Sequence, residues 1–289
     1  MSRRALSATR ATDLLAFLAA HPGRGFTYSE LSKRLQINLS SMHSILVALT
    51  ESGFLSRSAS DGRYVLGPVL VAIGDAALER NPLIDEARSQ MRAFSRKLGL
   101  ESLAFSLAGG DTLCVARAGP PPLPGNIVQV GQRIPLIAPL ASAWVAWASD
   151  REVERWLTAG GARRSEQRRL REILDVVRER GYSVALEVDG RRRIGEMLVE
   201  LAEDPHSEPL RREFFSLIAE LGHGPYQLGK GPGGSFLISS ITAPVFEADG
   251  RVALSITLQG FGLRLSRKGI RDAGAQLLEL TESIARAVR

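Results

Sequence analysis

The sequence predicts an α+β protein: a small helical domain at the N-terminus, a connecting helix, and a larger C-terminal domain of strands and helices. Three observations carry this expectation. Up to Gly67 the apolar residues recur at helical spacing in short, capped segments. From Leu100 onward, short apolar and β-branched runs bounded by glycine turns alternate with charged helical stretches, as in a sheet covered by helices. Between the two lies PVLVAIGDAALER, too apolar to be a solvated linker. The expected domains are therefore 1–67, 68–81 and 82–289.

The first helix is expected from Ser7 or Thr9, either of which can cap it, to about His21, with Leu14, Leu15, Phe17 and Leu18 facing inward. Pro22-Gly23 ends it, and Arg3 and Arg4 form an arm before it. Thr27-Tyr28-Ser29-Glu30 is a capping box opening a short helix through Leu35. A tight turn at Gln36-Ile37 and an N-cap at Asn38 lead into a second helix. There Met42, Ile45, Leu46 and Leu49 share one buried face. Ser40, Ser41, His43, Ser44 and Val47 are left pointing outward. Gly53 closes this helix, and two short strands flank Ser58-Ala59-Ser60-Asp61-Gly62, a hairpin with an Asp-Gly turn. Helix, turn, helix and wing together make a winged helix-turn-helix. A reading face of small polar side chains suits close approach to base edges in a major groove.

Charge supports that assignment. Arg3, Arg4, Arg10, Arg24, Lys33, Arg34, Arg57 and Arg63 outweigh Asp13, Glu30, Glu51 and Asp61, so most of the net charge of +6 falls before Gly67. Lys33, Arg34, Arg57 and Arg63 are the expected phosphate contacts.

Pro68 opens the apolar helix, which needs a packing partner; the equivalent helix of a second subunit would serve. A second amphipathic helix runs from Pro82 to Leu98, with Leu83, Ala87, Met91, Phe94 and Leu98 inward, and Gly99 stops it. Strands follow at 100–108 and 112–118 around Gly109-Gly110-Asp111, then a proline-rich loop at 119–125 and a strand at 127–134. Pro139–Ala148 reads as a buried helix carrying Trp144 and Trp147, which serve core packing or pocket lining equally well. Ser149-x-x-Glu152 caps a helix to about Ala159, and a charged helix runs from Glu166 to Arg180 before Gly181. Strands are expected at 182–188, 236–246 and 251–260, the last two joined by Ala248-Asp249-Gly250. Helices are expected near 191–203 and 209–221, and a final one over 268–288.

Composition bounds the function classes. A chain of 289 residues with 44% hydrophobic and 24% charged residues buries a sizeable core. Cys114 stands alone, which excludes an internal disulfide framework and a cysteine-based zinc site and fits a reducing cytoplasm. The opening MSRRALSATR has no apolar core behind its basic residues, and no apolar run approaches the ~20 residues that span a bilayer. A cytoplasmic protein without membrane association is expected.

Two motifs mislead. Gly224 to Lys230 matches the start of a phosphate-binding loop, but Gly231 stands where magnesium binding needs a hydroxyl, and the segment follows a helix. Asp204, His206 and Glu208 lie in a proline-bounded turn rather than at metal-ligand spacing, so no metal and no cofactor are expected.

The run NLSSMHSILVALTESGFLSRSASDGRYVLG resembles the recognition helix and wing of IclR-type transcriptional regulators. The resemblance continues in order at VGQRIPLIAPLASAWVAW, RERGYSVALE and ITAPVFEADGRVALSITLQG. It implies a winged helix, a dimerising linker helix and a GAF-like effector-binding domain with a mixed or antiparallel sheet. It also implies a homodimer or tetramer on a palindromic operator of double-stranded DNA, most simply a repressor released or tightened by a small molecule. By the same resemblance, the effector-binding positions are Ser142, Trp144, Leu186, Glu187, Ser240, Thr257 and Gln259. The departures are informative. Leu39 and Ser44 stand where the family places basic residues on the recognition helix, and Ser142-Ala143 replaces a glycine-lysine pair. The lining reads as bulkier and more apolar than that of small-acid sensors, which points to a larger, partly aromatic effector. The segment between Val188 and Ser235 is longer than usual and either covers the pocket or extends an interface.

Three classes remain open on sequence alone: a ligand-gated regulator, a DNA-binding protein controlled by oligomerisation only, and an enzyme with an accessory winged helix. No catalytic constellation supports the third.

Overall fold

In the computed structural model, residues 5–120, 128–159, 163–187, 191–204, 206–223, 228 and 234–289 are described. They form two compact units. One comprises the chain up to Asn81 together with Met197–Arg211; the other comprises Pro82–Glu196 and Arg212–Arg289.

In the first unit α1 (Leu6–Ala19), α2 (Tyr28–Arg34) and α3 (Leu39–Glu51) precede a hairpin of β1 (Leu55–Arg57) and β2 (Tyr64–Leu66). The capping box at Thr27 is present: the Thr27 amide donates to Glu30 Oε2 at 2.7 Å and the Glu30 amide donates to Thr27 Oγ1 at 3.3 Å. The bond from the Thr27 amide, helped by the Thr27 hydroxyl and the nearby Arg63, holds the Glu30 carboxyl below its ordinary value. Asn38 Oδ1 accepts from the Ser41 amide at 2.8 Å and opens α3. The start of α1 differs from expectation. Ala5 occupies the N-cap without a side-chain bond, and Ser7 and Thr9 lie inside the helix, where the Thr9 hydroxyl turns back to the Ala5 carbonyl.

Ten buried apolar residues seal this unit, among them Leu14, Phe17, Phe26, Leu31, Met42, Leu46 and Leu55. Thr27→Ala should lower its stability by about 1 kcal/mol, since one orphan amide of α2 loses its acceptor. A thermal melt followed through DNA binding would show the loss; an unchanged midpoint would mean that the box is dispensable.

The apolar helix is α4 (Val69–Glu79), and none of its residues is buried. Val71 is 66% exposed and Ile73 46%, so the chain itself leaves this face uncovered.

The second unit begins with α5 (Pro82–Leu98), followed by the hairpin β3 (Glu101–Ala108) and β4 (Asp111–Ala118). Next come β5 (Arg133–Pro135), α6 (Ser142–Val145), α7 (Asp150–Ala159), α8 (Arg164–Arg180) and β6 (Ser183–Leu186). The helices α9 (Arg191–Glu203) and α10 (Glu208–His223) are divided between the units. Finally, β7 (Ser235–Phe246), β8 (Val252–Gln259), β9 (Arg264–Ser266) and α11 (Arg267–Ala287) complete the chain. The strand order is β5-β4-β3-β8-β7-β6, with β9 beside β7, and every pairing is antiparallel. The fold class is α+β, as the sequence predicts.

Two faces of this sheet carry different chemistry. On one, Ile241, Ala243, Val245, Leu254, Ile256 and Leu258 pack with Ala87 and Met91 of α5 and with Ile270, Leu277 and Ile284 of α11. Beside the other, α6, α7 and α8 form their own cluster around Trp144, Val153, Trp156, Leu170 and Leu174.

Two expectations are corrected and one strand is added. The strand at 127–134 reduces to Arg133–Pro135, because Gly131 takes a left-handed conformation at φ 90° and turns the chain just before it. The helix at 139–148 reduces to the single turn of α6, because Ala141 at φ 55° breaks the helical path after Pro139-Leu140. The strand β9 gave no periodic signal in so short a segment. The arm at Arg3 and Arg4 and most of the 224–230 motif fall outside the described residues.

Candidate nucleic-acid interface and effector site

In the first unit the asymmetry of α3 is set by packing. Met42 and Leu46 are buried, Ile45 and Leu49 are packed beside them, and the opposite face presents Leu39, Ser40, His43, Ser44 and Val47 to solvent. Tyr28 locks the start of the helix by donating its hydroxyl to the Leu39 carbonyl at 2.6 Å, and its ring meets His43 edge-on. Ser44 Oγ donates to the Ser40 carbonyl within the helix. Ser41 is the exception. It is half-buried and accepts from Arg10 Nη1 at 3.2 Å, so a basic residue of α1 that sequence reasoning gave no role stands beside the reading helix.

The four predicted phosphate contacts separate into two pairs. Lys33 and Arg57 are exposed, Arg57 beside the wing with its guanidinium 5.6 Å from the Tyr64 ring. Arg63 is tied inward: Nη1 donates to the Gly25 carbonyl at 2.8 Å and to Glu30 Oε2 at 3.1 Å, and Nε lies 3.4 Å from Asp61 Oδ2. It staples the wing to α2. Arg34 is likewise engaged, with Glu203.

In the second unit the register places a polar row on the sheet face beside α6. Ser255, Thr257 and Gln259 alternate along β8, and each forms a bond on this side. Ser255 Oγ accepts from Trp144 Nε1 at 2.8 Å, Thr257 Oγ1 lies 2.9 Å from Thr242 Oγ1, and Gln259 Nε2 donates to Glu101 Oε2. Ser240 lies opposite Gln259, which places it in the same row. Glu101 is almost wholly buried and pairs through Oε1 with Arg117 Nε. Ser142 is buried, and its hydroxyl meets no hydrogen-bond partner among the described residues. Such an orphan is costly unless something else satisfies it.

Trp144, Ser240, Thr257 and Gln259 are thus brought together. Leu186 is not: it lies two residues after Val184 and, by strand alternation, packs with it into the cluster under α5 and α11. Ala185 takes the place opposite Ser240 instead. Glu187 follows the strand, with its amide donating to the Leu237 carbonyl. Glu101, Arg117 and Thr242 also join the polar row. The alternation Glu101-x-Leu103-x-Phe105 was the available signal; identifying the partners needed the register.

Cys114 is buried, and desolvation pushes its thiol up to about 12, which leaves it a protonated packing group. Among the described residues there is no cluster of three or more metal-ligating side chains, and no helix is long and apolar enough to cross a membrane.

A winged helix with an open polar reading face, in the same chain as a domain built on a helix-covered antiparallel sheet, defines a DNA-binding transcription regulator. Residues 7–59 match the IclR helix-turn-helix domain, and the chain as a whole is similar to transcription regulators that carry such a domain. It is 28% identical to the glycerol operon regulatory protein of Streptomyces griseus over 193 residues, 65% of this chain and 75% of that one. Its fold is similar to the crystal structure of an IclR transcriptional regulator from Alicyclobacillus acidocaldarius. There the TM-score is 0.68 at 20% identity, covering 98% of this chain and 99% of that one. A homologue from Microbacterium hydrocarbonoxydans, crystallised with 4-hydroxybenzoate, gives a TM-score of 0.63 at 18% identity over 97% and 99% of the two chains.

Proposed function

We propose that this regulator represses transcription as a homodimer on a palindromic operator, and that a small molecule held between the sheet and α6 modulates its grip. The observation that carries the DNA-reading part is α3. It is capped by Asn38 and sealed on its inner side, and it leaves Ser40, His43 and Ser44 open at the spacing of one helical face. The exposed apolar residues of α4 support pairing with a second copy through that helix. The polar row from Ser255 to Gln259, Trp144 above it and the orphan Ser142 hydroxyl support an effector site. The apolar indole face of Trp144 favours an effector with an aromatic or apolar body, larger than a two- or three-carbon acid. A thermal-shift panel in which only such short acids bind would reject that size class.

Gel shifts across a salt series test the DNA-reading assignment. Lys33→Ala and Arg57→Ala should each weaken binding to every duplex and flatten the salt slope by roughly one unit. His43→Ala should change which bases are preferred, with little effect on random DNA. An equal loss for His43→Ala on operator and random duplex would remove α3 as the reading element.

A further inference from the structure

The first unit holds a charged cluster that the reading face does not use. At the end of α9 the Glu203 carboxylate gathers three side chains of the winged helix. Oε1 lies 3.0 Å from His21 Nε2; Oε2 lies against Arg34 Nη1 and 3.5 Å from Arg24 Nη1. Arg34 Nη1 also donates to the Glu203 carbonyl at 2.7 Å, and Gln36 Nε2 donates to the His206 carbonyl at 3.3 Å. The cluster is built on a firm base: His21 Nδ1 sits 2.7 Å from the Phe17 carbonyl, and both guanidiniums lie within 6 Å of the Phe26 ring, at 4.7 and 5.8 Å.

An anionic oxygen held by two guanidiniums offers them the contact that a DNA phosphate oxygen would offer. Each guanidinium so occupied is withdrawn from the counterion exchange that drives binding to DNA. We propose that Glu203 is an internal counter-anion of the DNA-binding domain. It competes with phosphate for Arg24 and Arg34, so the arrangement described is the weaker-binding one, and displacement of Glu203 strengthens it. The proposal rests on the DNA-binding reading above. It also gives the lengthened segment after Val188 a part to play at the winged helix.

The test is fluorescence anisotropy on a random duplex over a salt series. Glu203→Gln keeps the side-chain shape and removes the charge. It should bind more tightly than the parent protein at low salt, with a slope steeper by roughly one to two units, worth roughly threefold in affinity per regained contact across a fourfold salt change. Glu203→Ala should move the slope in the same direction. Arg34→Gln alone should leave the slope unchanged, because its charge is already neutralised; in the Glu203→Gln background it should remove about one unit of the gain. An unchanged slope in both Glu203 variants overturns the proposal, as does an Arg34→Gln loss equal in the two backgrounds. If the parent protein shows no salt-dependent DNA binding, the DNA-binding reading fails and the proposal with it.

Discussion

Glu101→Ala should destabilise the second unit by about 3–5 kcal/mol, the range for breaking a buried ion pair from one side. The carboxylate is 3% exposed, at the first residue of β3, and satisfies Arg117 Nε and Gln259 Nε2 at once. Its loss strands a guanidinium that is three-quarters covered. The penalty comes mostly from that orphan rather than from lost attraction. Glu101→Gln should therefore be milder, because its carbonyl oxygen still accepts one bond. The double replacement Glu101→Met with Arg117→Met should recover much of the loss, since it leaves fewer unpaired groups. Urea unfolding followed by circular dichroism gives the comparison. A cost under about 1 kcal/mol for Glu101→Ala would show that water reaches the pair and that the row is not sealed.

Phe26→Ala should cost the first unit about 3–5 kcal/mol and remove DNA binding near physiological temperature. The ring is fully buried and meets Phe17 edge-on, with centroids 4.9 Å apart, and His21 at 5.3 Å. Its backbone exchanges both hydrogen bonds with Tyr64, at 3.1 and 2.8 Å, so one residue joins α1, the start of α2 and the wing. A unit of this size has little stability in reserve, and such a cavity is a large fraction of it. Phe26→Leu, which fills most of the space, should retain binding. Gel shifts on both variants, alongside melts, would separate lost folding from lost contacts. Full DNA affinity in Phe26→Ala would show that the wing is positioned without that ring.

The sites were legible to different depths. Capping at Thr27 and Asn38, the buried face of α3 and the Asp-Gly turn of the wing all depend on residues within a few positions of one another. They read directly from spacing. Local spacing could not show that Arg63 would turn back to Gly25 and Glu30, or that Arg34 would meet a carboxylate far along the chain. In the second unit the hairpin of β3 and β4 and the amphipathic faces of α5 and α11 were equally plain. The polar row was not, because Ser255, Thr257, Gln259 and Glu101 become neighbours only through the pairing of β3 with β8. Leu186 shares the face of Val184 and Ala185 the face of Ser240, and local spacing alone could not say which of the two faces the polar row would occupy.

The sequence by itself determined the α+β class, the winged helix with its capped reading helix, and the apolar α4 that asks for a partner. These follow from short-range periodicity and hydrogen-bonding chemistry. Only the tertiary structure decided which cations remain open to phosphate, which polar side chains share the sheet face beside Trp144, and that Glu203 closes on Arg24 and Arg34. Each of these is a long-range pairing, settled by which buried or half-buried charge finds its counter-charge once the core has fixed the backbone.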